Sequence, residues 1–411
     1  MTTTPAPSGS FYGLGIAPHI LSTLERLHFK VPTPIQQRAI PVGLEGKDVL
    51  GIAQTGTGKT LAFGIPLVQR LAQASGRALI LVPTRELALQ VDEQLQKIAQ
   101  PLHFKTVVLI GGASMGQQLS ILRRGAHIIV ATPGRLLDHI NQRTVDLRDV
   151  RVLVLDEADR MLDMGFKPQI EKIVRLVPKD RQTLLFSATM PQEILQIATA
   201  YMKLPLRIEV APQGTVAEKV TQELFIVKPE SKRTLLEKLL KQYQGSVLLF
   251  TRTKAGARKV TKSVRDMRHS SAEIHSNRSL NQRKEALEGF RSGKYRVLVA
   301  TDIASRGIDV KGIELVINYD LPDDLENYIH RIGRTGRAGR EGRAITFATP
   351  DQGADVKGIE RLMRLPLNVS QHPEVPSERF NSHAPSSRPQ PNNRQHHRPG
   401  GRKPFYGRRG R

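Results

Sequence analysis

Short apolar runs separated by amphipathic stretches recur along most of the chain. In the first half, such runs predict strands at 78–82, 106–110, 127–131, 151–155 and 183–187. The runs are continuous rather than alternating, which is typical of strands buried on both faces of a parallel sheet. Helical patterns lie between them, so residues 11–208 are predicted to form a doubly wound α/β domain.

The same alternation restarts after a segment at 209–220 that contains Pro and Gly and is interpreted as a linker. Strands are predicted at 224–227, 247–250, 296–300, 315–318 and 344–348, and helices at 231–242, 255–267 and 281–291. Residues 221–366 are therefore predicted to form a second α/β domain. Residues 1–10 are predicted to be disordered.

The composition changes again after residue 366. Residues 376–411 carry nine Lys and Arg against one acidic residue, and apolar side chains are few. Such a segment cannot bury enough surface to fold, so 367–411 is predicted to be a disordered basic tail. The arginines of its Arg-Gly dipeptides are suited to contact phosphates, and its aromatic residues are suited to stack on bases. Nonspecific attachment to RNA is favoured over the alternative of an inert solvated tail.

Length and charge narrow the class of protein. A chain of 411 residues exceeds what one core usually supports, and a formal net charge of +24 indicates a polyanionic partner such as nucleic acid. The alternative explanations of this positive charge are general solubility and attraction to lipid headgroups. The absence of Cys excludes disulfides, cysteine-ligated zinc and thiol catalysis. No apolar stretch is long enough for a membrane span, and the first ten residues lack the features of a secretory signal, so a cytoplasmic location is expected.

The segment AQTGTGKT at 53–60 lies between a predicted strand and a predicted helix. Gly56 and Gly58 allow the backbone to approach a polyphosphate, and Lys59 adds a positive charge for the β- and γ-phosphates. Thr60 supplies a hydroxyl suited to Mg²⁺. The generic phosphate-loop pattern has glycine where this chain has Ala53. A glycine-rich turn that binds nothing is the alternative, but it does not explain the adjacent Lys-Thr.

A second block, DEAD at 156–159, follows the predicted strand 151–155. Ligands of open α/β sheets bind at the carboxyl ends of the strands. Asp156 is predicted to hold Mg²⁺ through water, and Glu157 to orient or deprotonate the water that attacks the γ-phosphate. An acidic N-cap of the next helix is the alternative, and both interpretations can hold together.

Together with SAT at 187–189 and HRIGRTGR at 330–337, these blocks make the chain resemble the DEAD-box ATP-dependent RNA helicases of superfamily 2, most closely the bacterial RhlE-type branch. The resemblance covers residues 11–366. It implies two RecA-like domains in tandem, with ATP and Mg²⁺ as cofactors. The implied activity is RNA-stimulated ATP hydrolysis that drives local, non-processive unwinding. An ATP-gated RNA clamp or assembly scaffold and a DNA translocase are the alternatives.

The resemblance also implies roles for individual residues. Gln36 would read the adenine edge, and Phe11 would stack on the base unless it is a packing aromatic. The ATP-binding residues would be Phe11, Phe29, Gln36, Thr55, Gly56, Thr57, Gly58, Lys59, Thr60, Gly307 and Asp309. The catalytic residues would be Lys59, Asp156, Glu157, Arg334 and Arg337, the last two as arginine fingers.

Further residues are implied to contact RNA or to couple the two domains. RNA would be bound on its backbone, without sequence preference, by Pro83, Thr84, Arg85, Gly112, Thr132, Pro133, Gly134, Arg135, Thr251, Arg252 and Thr301. Helix caps and turns are the alternative for any single one of these blocks. Coupling would involve Asp159, Ser187, Thr189 and His330, with a helix cap as the alternative for the SAT block. The protein is expected to be a monomer, with ribosome precursors or the RNA-decay machinery as possible partners.

Three positions depart from the family pattern. The glycine that usually precedes Phe29 is His28, the glycine that follows a histidine in many relatives is Ser276, and the arginine expected in a Gln-x-x-Arg block is Glu285. The departure at Glu285 puts one RNA or interdomain contact in doubt, for which the neighbouring Arg283 is a substitute.

Overall fold

The computed structural model describes residues 10–54, 56–210, 220–302, 310, 312–336 and 342–381. The N-terminal segment 1–9, the linker residues 211–219 and the tail residues 382–411 lie outside the described residues, as do Thr55, Gly307, Asp309 and Arg337. The predictions made for them therefore stay predictions.

The first domain is a seven-stranded parallel sheet with the order β3-β4-β2-β5-β6-β1-β7. Its strands are β1 Val49–Ile52, β2 Arg77–Leu81, β3 Thr106–Leu109, β4 Ile128–Ala131, β5 Val150–Leu155, β6 Gln182–Ser187 and β7 Leu206–Glu209. Its helices are α1 Pro18–Arg26, α2 Pro34–Leu44, α3 Lys59–Gln73, α4 Arg85–Ala99, α5 Met115–Arg123, α6 Pro133–Asn141, α7 Ala158–Asp163, α8 Lys167–Leu176 and α9 Gln192–Tyr201.

The second domain is also a seven-stranded parallel sheet, with the order β10-β11-β9-β12-β13-β8-β14. Its strands are β8 Val220–Ile226, β9 Val247–Phe250, β10 Ser271–Ile274, β11 Val297–Ala300, β12 Leu315–Asn318, β13 Gly342–Ala348 and β14 Asn368–Val369. The described helices are α10 Lys232–Gln242, α11 Lys254–Asp266, α12 Leu280–Arg291, α13 Glu326–Ile332 and α14 Gly353–Met363, with short 3₁₀ turns at Gln100–Leu102, Pro229–Ser231 and Pro350–Gln352.

The two sheets share one topology. Numbered from its own first strand, each sheet has the order 3-4-2-5-6-1-7. In each domain two separate apolar clusters fill the two faces of the sheet. This confirms the prediction of two similar α/β domains, because the central strands are buried on both faces. None of the helices in the described ranges is long and apolar enough to cross a membrane.

Three strands had no apolar run that predicted them. β10 reads Ser-Ala-Glu-Ile and lies at the edge of its sheet, β7 reads Leu-Arg-Ile-Glu, and β14 has two residues. β8 begins at Val220 rather than at 224, because its first half alternates polar and apolar positions. Glu209 and Val220 therefore belong to the sheets and not to the predicted linker.

The predicted start of the disordered tail, residue 367, is too early in the chain. Residues 367–381, which we call the C-terminal strap, cross the outer edge of β8 and fold onto the second domain. The Ser370 and Glu378 amides donate to carbonyls of β8 at 2.8 and 2.9 Å, and the Asn381 amide donates to the Pro350 carbonyl at 2.9 Å. Val375 is 5% exposed. Composition did not indicate this, because pairing along an open strand edge uses backbone groups and needs few apolar side chains.

Candidate nucleotide and RNA site

Three of the blocks meet at one edge of the first sheet. β1 leads into the phosphate loop, β5 into Asp156 and β6 into Ser187, and the sheet places β5, β6 and β1 side by side. The strands are parallel, so their carboxyl ends all lie at the same edge. The predicted ATP site is therefore assembled by the sheet order from segments far apart in the sequence.

The phosphate loop requires glycine at Gly58. Its φ is +94°, and a Cβ at this position would lie 2.4 Å from the Gln36 side-chain nitrogen. Gly56, with φ +87°, is also left-handed. The fifteen-residue helix α3 begins at Lys59 and directs its N-terminal amide groups toward the loop.

Lys59 carries a buried positive charge. Its side chain is 5% exposed, and its Nζ lies 3.7 Å from Asp156 Oδ1, which is too far for a hydrogen bond. Nζ makes no hydrogen bond in the structure. A buried ammonium group without an acceptor is costly, and a phosphate oxygen would supply that acceptor.

Asp156 is equally buried. Burial raises its pKa to about 6, the neighbouring Lys59 charge opposes this rise, and Glu157 adds to it. Oδ1 accepts a hydrogen bond from the Glu157 amide at 2.9 Å. A carboxylate destabilised in this way gains from a divalent cation nearby. With the Thr60 hydroxyl on the adjoining helix, the residues present fit a magnesium ion of a nucleotide complex.

Glu157 has left-handed backbone geometry, with φ +52°. It occupies the N-cap position of α7, but its side chain does not cap the helix. Its Oε2 instead lies 3.5 Å from Nη1 of Arg160, and both side chains are almost completely buried. The Glu157 side chain is therefore not a helix cap in this structure, and its catalytic role stays a prediction.

Asp159 joins the DEAD block to the SAT block. One carboxylate oxygen accepts hydrogen bonds from the Ala188 amide at 3.0 Å, the Thr189 amide at 2.8 Å and the Thr189 hydroxyl at 3.0 Å. The Asp159 amide donates to the Ser187 hydroxyl at 3.3 Å. The structure thus brings three of the predicted coupling residues into contact. Helix α9 has Pro191 at its N-cap, so the SAT residues do not cap it.

The second domain presents His330 and Arg331 from α13 and Arg334 from the turn that follows this helix. Arg334 is 4% exposed and donates from Nε to the His330 carbonyl at 3.0 Å. A small cavity between the domains is lined by Arg160 of the first domain and by His330, Arg331 and Arg334 of the second. Arg334 and His330, the predicted finger and coupling residue, thus face the DEAD helix across the cleft.

Arg331, the first arginine of the HRIGRTGR block, is a buried residue of the second domain. It is 2% exposed and donates to both carboxylate oxygens of Asp302, at 2.7 Å for the Nη2–Oδ2 pair. Its guanidinium also lies over the Phe250 ring, 5.1 Å from the centroid. Burial is tolerated because the charge is fully paired.

Two positions before Glu285, Arg283 makes a contact between the domains. Arg283 Nη2 donates to Glu86 Oε2 at 2.7 Å, and this ion pair links α12 of the second domain to α4 of the first, with both side chains less than 10% exposed. Glu285 instead contacts Lys294 and Tyr295 on the exposed side of the second domain. The interdomain contact is therefore made by Arg283.

The residues predicted to bind adenine contact other parts of the protein in this structure. Gln36 Oε1 accepts a hydrogen bond from the Thr33 amide at 2.9 Å, and Nε2 donates to the Gly58 carbonyl at 3.0 Å. Gln36 is thus tied to the phosphate loop. Phe11 is 3% exposed and belongs to the apolar core, whereas Phe29 is 40% exposed. The packing alternative therefore describes Phe11 in this structure.

The predicted RNA blocks of the first domain contact one another. The Arg85 guanidinium lies against Gly112, where an added Cβ would be 2.4 Å from Nη1, and Arg135 donates to the Ala113 carbonyl at 3.1 Å. The Thr84 hydroxyl accepts from the Leu87 amide at 3.2 Å and so caps α4. The capping alternative thus holds for Thr84, and it is compatible with an RNA contact. Pro133 and Gly134 form the first turn of α6, with Thr132 at its N-cap and Pro83 just before Thr84.

In the second domain, Arg252 and Thr301 line a cleft of about 660 Å³ that also reaches Asp163 and Met164 of the first domain. The Arg252 amide donates to Asp320 at 3.2 Å, and the buried Thr251 hydroxyl donates to the Thr253 carbonyl at 3.3 Å. Sequence reasoning missed Arg160, Glu86 and Asp302, although each lies beside or within a recognised block.

A mononucleotide site on one parallel sheet, faced by arginines of a second sheet of the same topology, defines a two-domain ATPase of RecA-like fold. The DEAD/DEAH box helicase model matches residues 33–197, and the helicase conserved C-terminal domain model matches residues 231–339. The chain belongs to the DEAD-box family of ATP-dependent RNA helicases.

Relatives and solved structures agree with this assignment. The ATP-dependent RNA helicase CshA of Listeria monocytogenes is 44% identical over 367 residues, which are 88% of this chain and 70% of that protein. CshA of Bacillus subtilis is 42% identical over 369 residues, 89% of this chain and 75% of that protein. The RhlE-type branch stays a prediction.

The solved structures also bear on domain arrangement. Saccharomyces cerevisiae Dbp5 bound to RNA and ADP BeF3 is 31% identical, with a TM-score of 0.79 over 88% of this chain and 96% of that chain. Mss116p bound to ssRNA and AMP-PNP is 29% identical, with a TM-score of 0.81 over 87% of this chain and 78% of that chain. A DEAD box protein from Methanococcus jannaschii is more identical, at 38%, but its TM-score is 0.53 over 88% and 99% of the two chains. The domains of this structure are therefore arranged like those of the two RNA- and nucleotide-bound relatives.

Proposed function

We propose that this RNA helicase hydrolyses ATP when RNA holds its two domains together, and that domain closure unwinds or remodels RNA locally. The observation that carries the proposal is the buried Lys59 Nζ, which has no hydrogen-bond acceptor, while His330 and Arg334 of the second domain face Arg160 beside the DEAD block. The acceptor that this group needs is the polyphosphate of a nucleotide.

Each part of the site has a role in this reaction. Lys59 binds the β- and γ-phosphates, and Glu157 orients the attacking water. Arg334 stabilises the charge that develops on the γ-phosphate, with Arg337 predicted to act beside it. Asp156 and Thr60 would hold Mg²⁺, which when bound neutralises phosphate charge during the transfer. Closure places Arg334 correctly, so neither domain alone completes the site.

RNA is proposed to bind by its backbone across both domains, through the blocks around Arg85, Arg135 and Arg252. Side chains and amides at helix starts suit phosphate and sugar oxygens and carry no base preference. Two domains that grip one strand in a shape incompatible with a duplex displace the other strand locally. The RNA-bound relatives with a similar domain arrangement support this proposal.

An ATP-gated clamp that uses slow hydrolysis to time its release is the second candidate, and the buried interdomain ion pair Glu86–Arg283 favours a long-lived closed state. A comparison of duplex unwinding in ATP with RNA retention in a nonhydrolysable analogue separates the two. We also propose a monomeric protein of the cytoplasm, from the RhlE-type branch, with ribosome precursors or the RNA-decay machinery as partners.

The direct test is Lys59→Ala. We expect ATP binding to weaken at least tenfold and RNA-stimulated hydrolysis to fall by roughly a hundredfold or more, since the principal phosphate charge is lost. Lys172→Ala, on the exposed side of α8, is the matched control and should turn over ATP like the wild type. Unchanged turnover in Lys59→Ala would show that the phosphates bind elsewhere.

A further inference from the structure

A groove crosses the first domain at the edge opposite the nucleotide site. Arg77, one of its lining residues, begins β2, so the groove lies at the amino ends of the strands. Its volume is about 500 Å³. The floor is apolar and includes Ile140, Val145 and Leu176, and Leu176 is 45% exposed although it ends an amphipathic helix.

The rim of the groove is basic. Arg77, Arg123, Arg143 and Arg148 line it, with Asp146 as the acidic lining residue. Asp146 is already bound by Arg148, at 2.6 Å between Nη2 and Oδ2. This pairing holds the pKa of the Asp146 carboxyl at about 2, so Asp146 remains an anion at neutral pH.

Other arginines of the rim have no such partner. Arg123 and Arg143 are exposed, and no carboxylate in the described ranges forms an ion pair with them. Arg143 also holds a left-handed backbone, φ +54°, which costs roughly 1 kcal/mol relative to glycine. The rim therefore has unpaired positive charge for a ligand.

A second, more polar cavity of about 390 Å³ continues the groove, and the two share Arg77. It adds the exposed Arg151, while its carboxylate, Asp149, is paired with Arg77 at 3.1 Å. His127 also lines it, and burial with the nearby Lys105 and Arg77 charges lowers the pKa of this imidazole, which keeps it neutral at pH 7. The two cavities meet at Arg77, so a ligand that spans both would contact the arginines of each.

We propose that this groove docks an acidic peptide segment of a partner protein, which places aliphatic or aromatic side chains on the floor and carboxylates between the arginines. Carboxylates match the unpaired guanidiniums, which favour bidentate pairing, and the apolar floor matches side chains that a nucleic-acid backbone lacks. Among the lining residues of the two cavities there is no Phe, Tyr or Trp, and His127 supplies the aromatic ring, so RNA would find little platform for base stacking there.

The charge of the chain itself narrows the choice of occupant. The C-terminal residues 382–411 contain eight Lys and Arg and no Asp or Glu, so the rim would repel them. A second copy of a chain with a formal net charge of +24 is similarly unsuited. The occupant is therefore assigned to a different, acidic protein.

The test is selection of random twelve-residue peptides displayed on phage against the full chain. Excess single-stranded RNA would occupy the RNA site and the basic tail during selection. We expect recovery of peptides rich in Asp and Glu with Leu, Ile or Phe at recurring positions. Recovery of no peptides, or of peptides without acidic residues, would overturn the proposal.

The affinity of the best peptide would then be measured against variants of the full chain. We expect Arg123→Glu with Arg143→Glu to weaken binding at least tenfold, and Leu176→Asp at least fivefold. The matched control, Lys259→Glu with Lys262→Glu on the exposed side of α11, should stay within twofold, because it changes the net charge equally. All variants should keep RNA-stimulated ATP turnover, which shows that they fold.

Equal weakening by the groove and control variants would mean that only overall charge attracts the peptide, and the docking site would be rejected. The same conclusion would follow if oligo-aspartate bound as tightly as the selected peptide. Crosslinking of RNA to Arg123 or Arg143 in preference to the peptide would assign the groove to RNA instead.

Discussion

Lys59, Asp156 and Glu157 place three charged groups where almost no solvent reaches them. Charge removed from water is costly unless it is paired, and the 3.7 Å separation of Lys59 and Asp156 leaves both partly uncompensated. A bound nucleotide and its cation would supply the missing partners. The site is thus built for its ligands at some expense of stability, so ligand binding should also stabilise the first domain.

Asp159 shows the opposite arrangement, because its carboxylate is surrounded by donors of the SAT segment. A small displacement of the DEAD block would therefore change these hydrogen bonds and shift the SAT segment. The blocks themselves could be recognised from the sequence, but the hydrogen bonds between them depend on the neighbouring positions of β5 and β6.

His139 gives a prediction at the scale of one residue. Its buried ring lies 2.8 Å from the Thr144 hydroxyl and 3.3 Å from Gln118, and burial lowers the pKa of this imidazole from its usual 6.5. The unfolded chain therefore takes up this proton at a higher pH than the folded chain does. Stability should be lost as the pH falls through 6.5 and level off below the folded-state pKa.

The measurement is urea unfolding at pH 7.5 and pH 5.5. His139→Gln keeps a polar side chain but has no proton to take up, so it should lose less stability than the wild type between the two pH values. Other titrating groups cancel in this difference. Equal losses in the two proteins would show that His139 is protonated in the folded state.

Two helices from different domains, α4 and α12, carry the ion pair Glu86–Arg283. Burial raises the pKa of the Glu86 carboxyl even beside the arginine, so its charge is costly when the cleft is closed. We predict that Arg283→Ala lowers the RNA-stimulated kcat/KM for ATP by roughly tenfold, because it leaves a buried carboxylate unpaired in the closed form.

Addition of Glu86→Gln to Arg283→Ala should restore part of that loss, with a coupling energy of about 1–3 kcal/mol in the double-mutant cycle. Glu285→Ala is the control, because Glu285 lies on the exposed side of α12 and contacts its own domain. A strictly additive cycle would mean that the pair does not govern closure.

The C-terminal strap gives a second prediction for an element. A chain that ends at 381 should retain full hydrogen-exchange protection of β8, whereas a chain that ends at 366 should lose it. Removal of buried Val375 and its neighbours costs about 2–4 kcal/mol in the second domain. Protection of β1 in the first domain is the internal control. If β8 stayed protected in the shorter chain, the strap would add nothing to stability.

Two sheets of one topology, only one of them with a phosphate loop, divide the reaction between the halves of the molecule. We predict that residues 1–210 alone bind ATP but gain no stimulation from RNA. Turnover should be about a thousandfold below that of the RNA-stimulated full chain, because Arg334 and Arg337 are absent. RNA-stimulated turnover by the isolated first domain would refute the shared site.

The strand pattern, the division into two α/β domains and the blocks of the ATP site could all be predicted from the sequence. These features depend on local signals: continuous apolar runs, a glycine-rich turn and carboxylates at the end of a strand. β10, β14 and the C-terminal strap could not, because edge strands are held by backbone pairing and need no apolar signature.

The ion pairs between residues that are distant in the sequence depend on the tertiary structure alone. Glu86 and Arg283 are 197 positions apart in the chain, and Asp302 meets Arg331 only because α13 packs beside the end of β11. Phe11 belongs to the core rather than to an exposed nucleotide surface, which no local pattern distinguishes. Residue types and their order determined which chemistry is available, whereas packing determined which charges meet, because burial and pairing depend on the whole surroundings of a side chain.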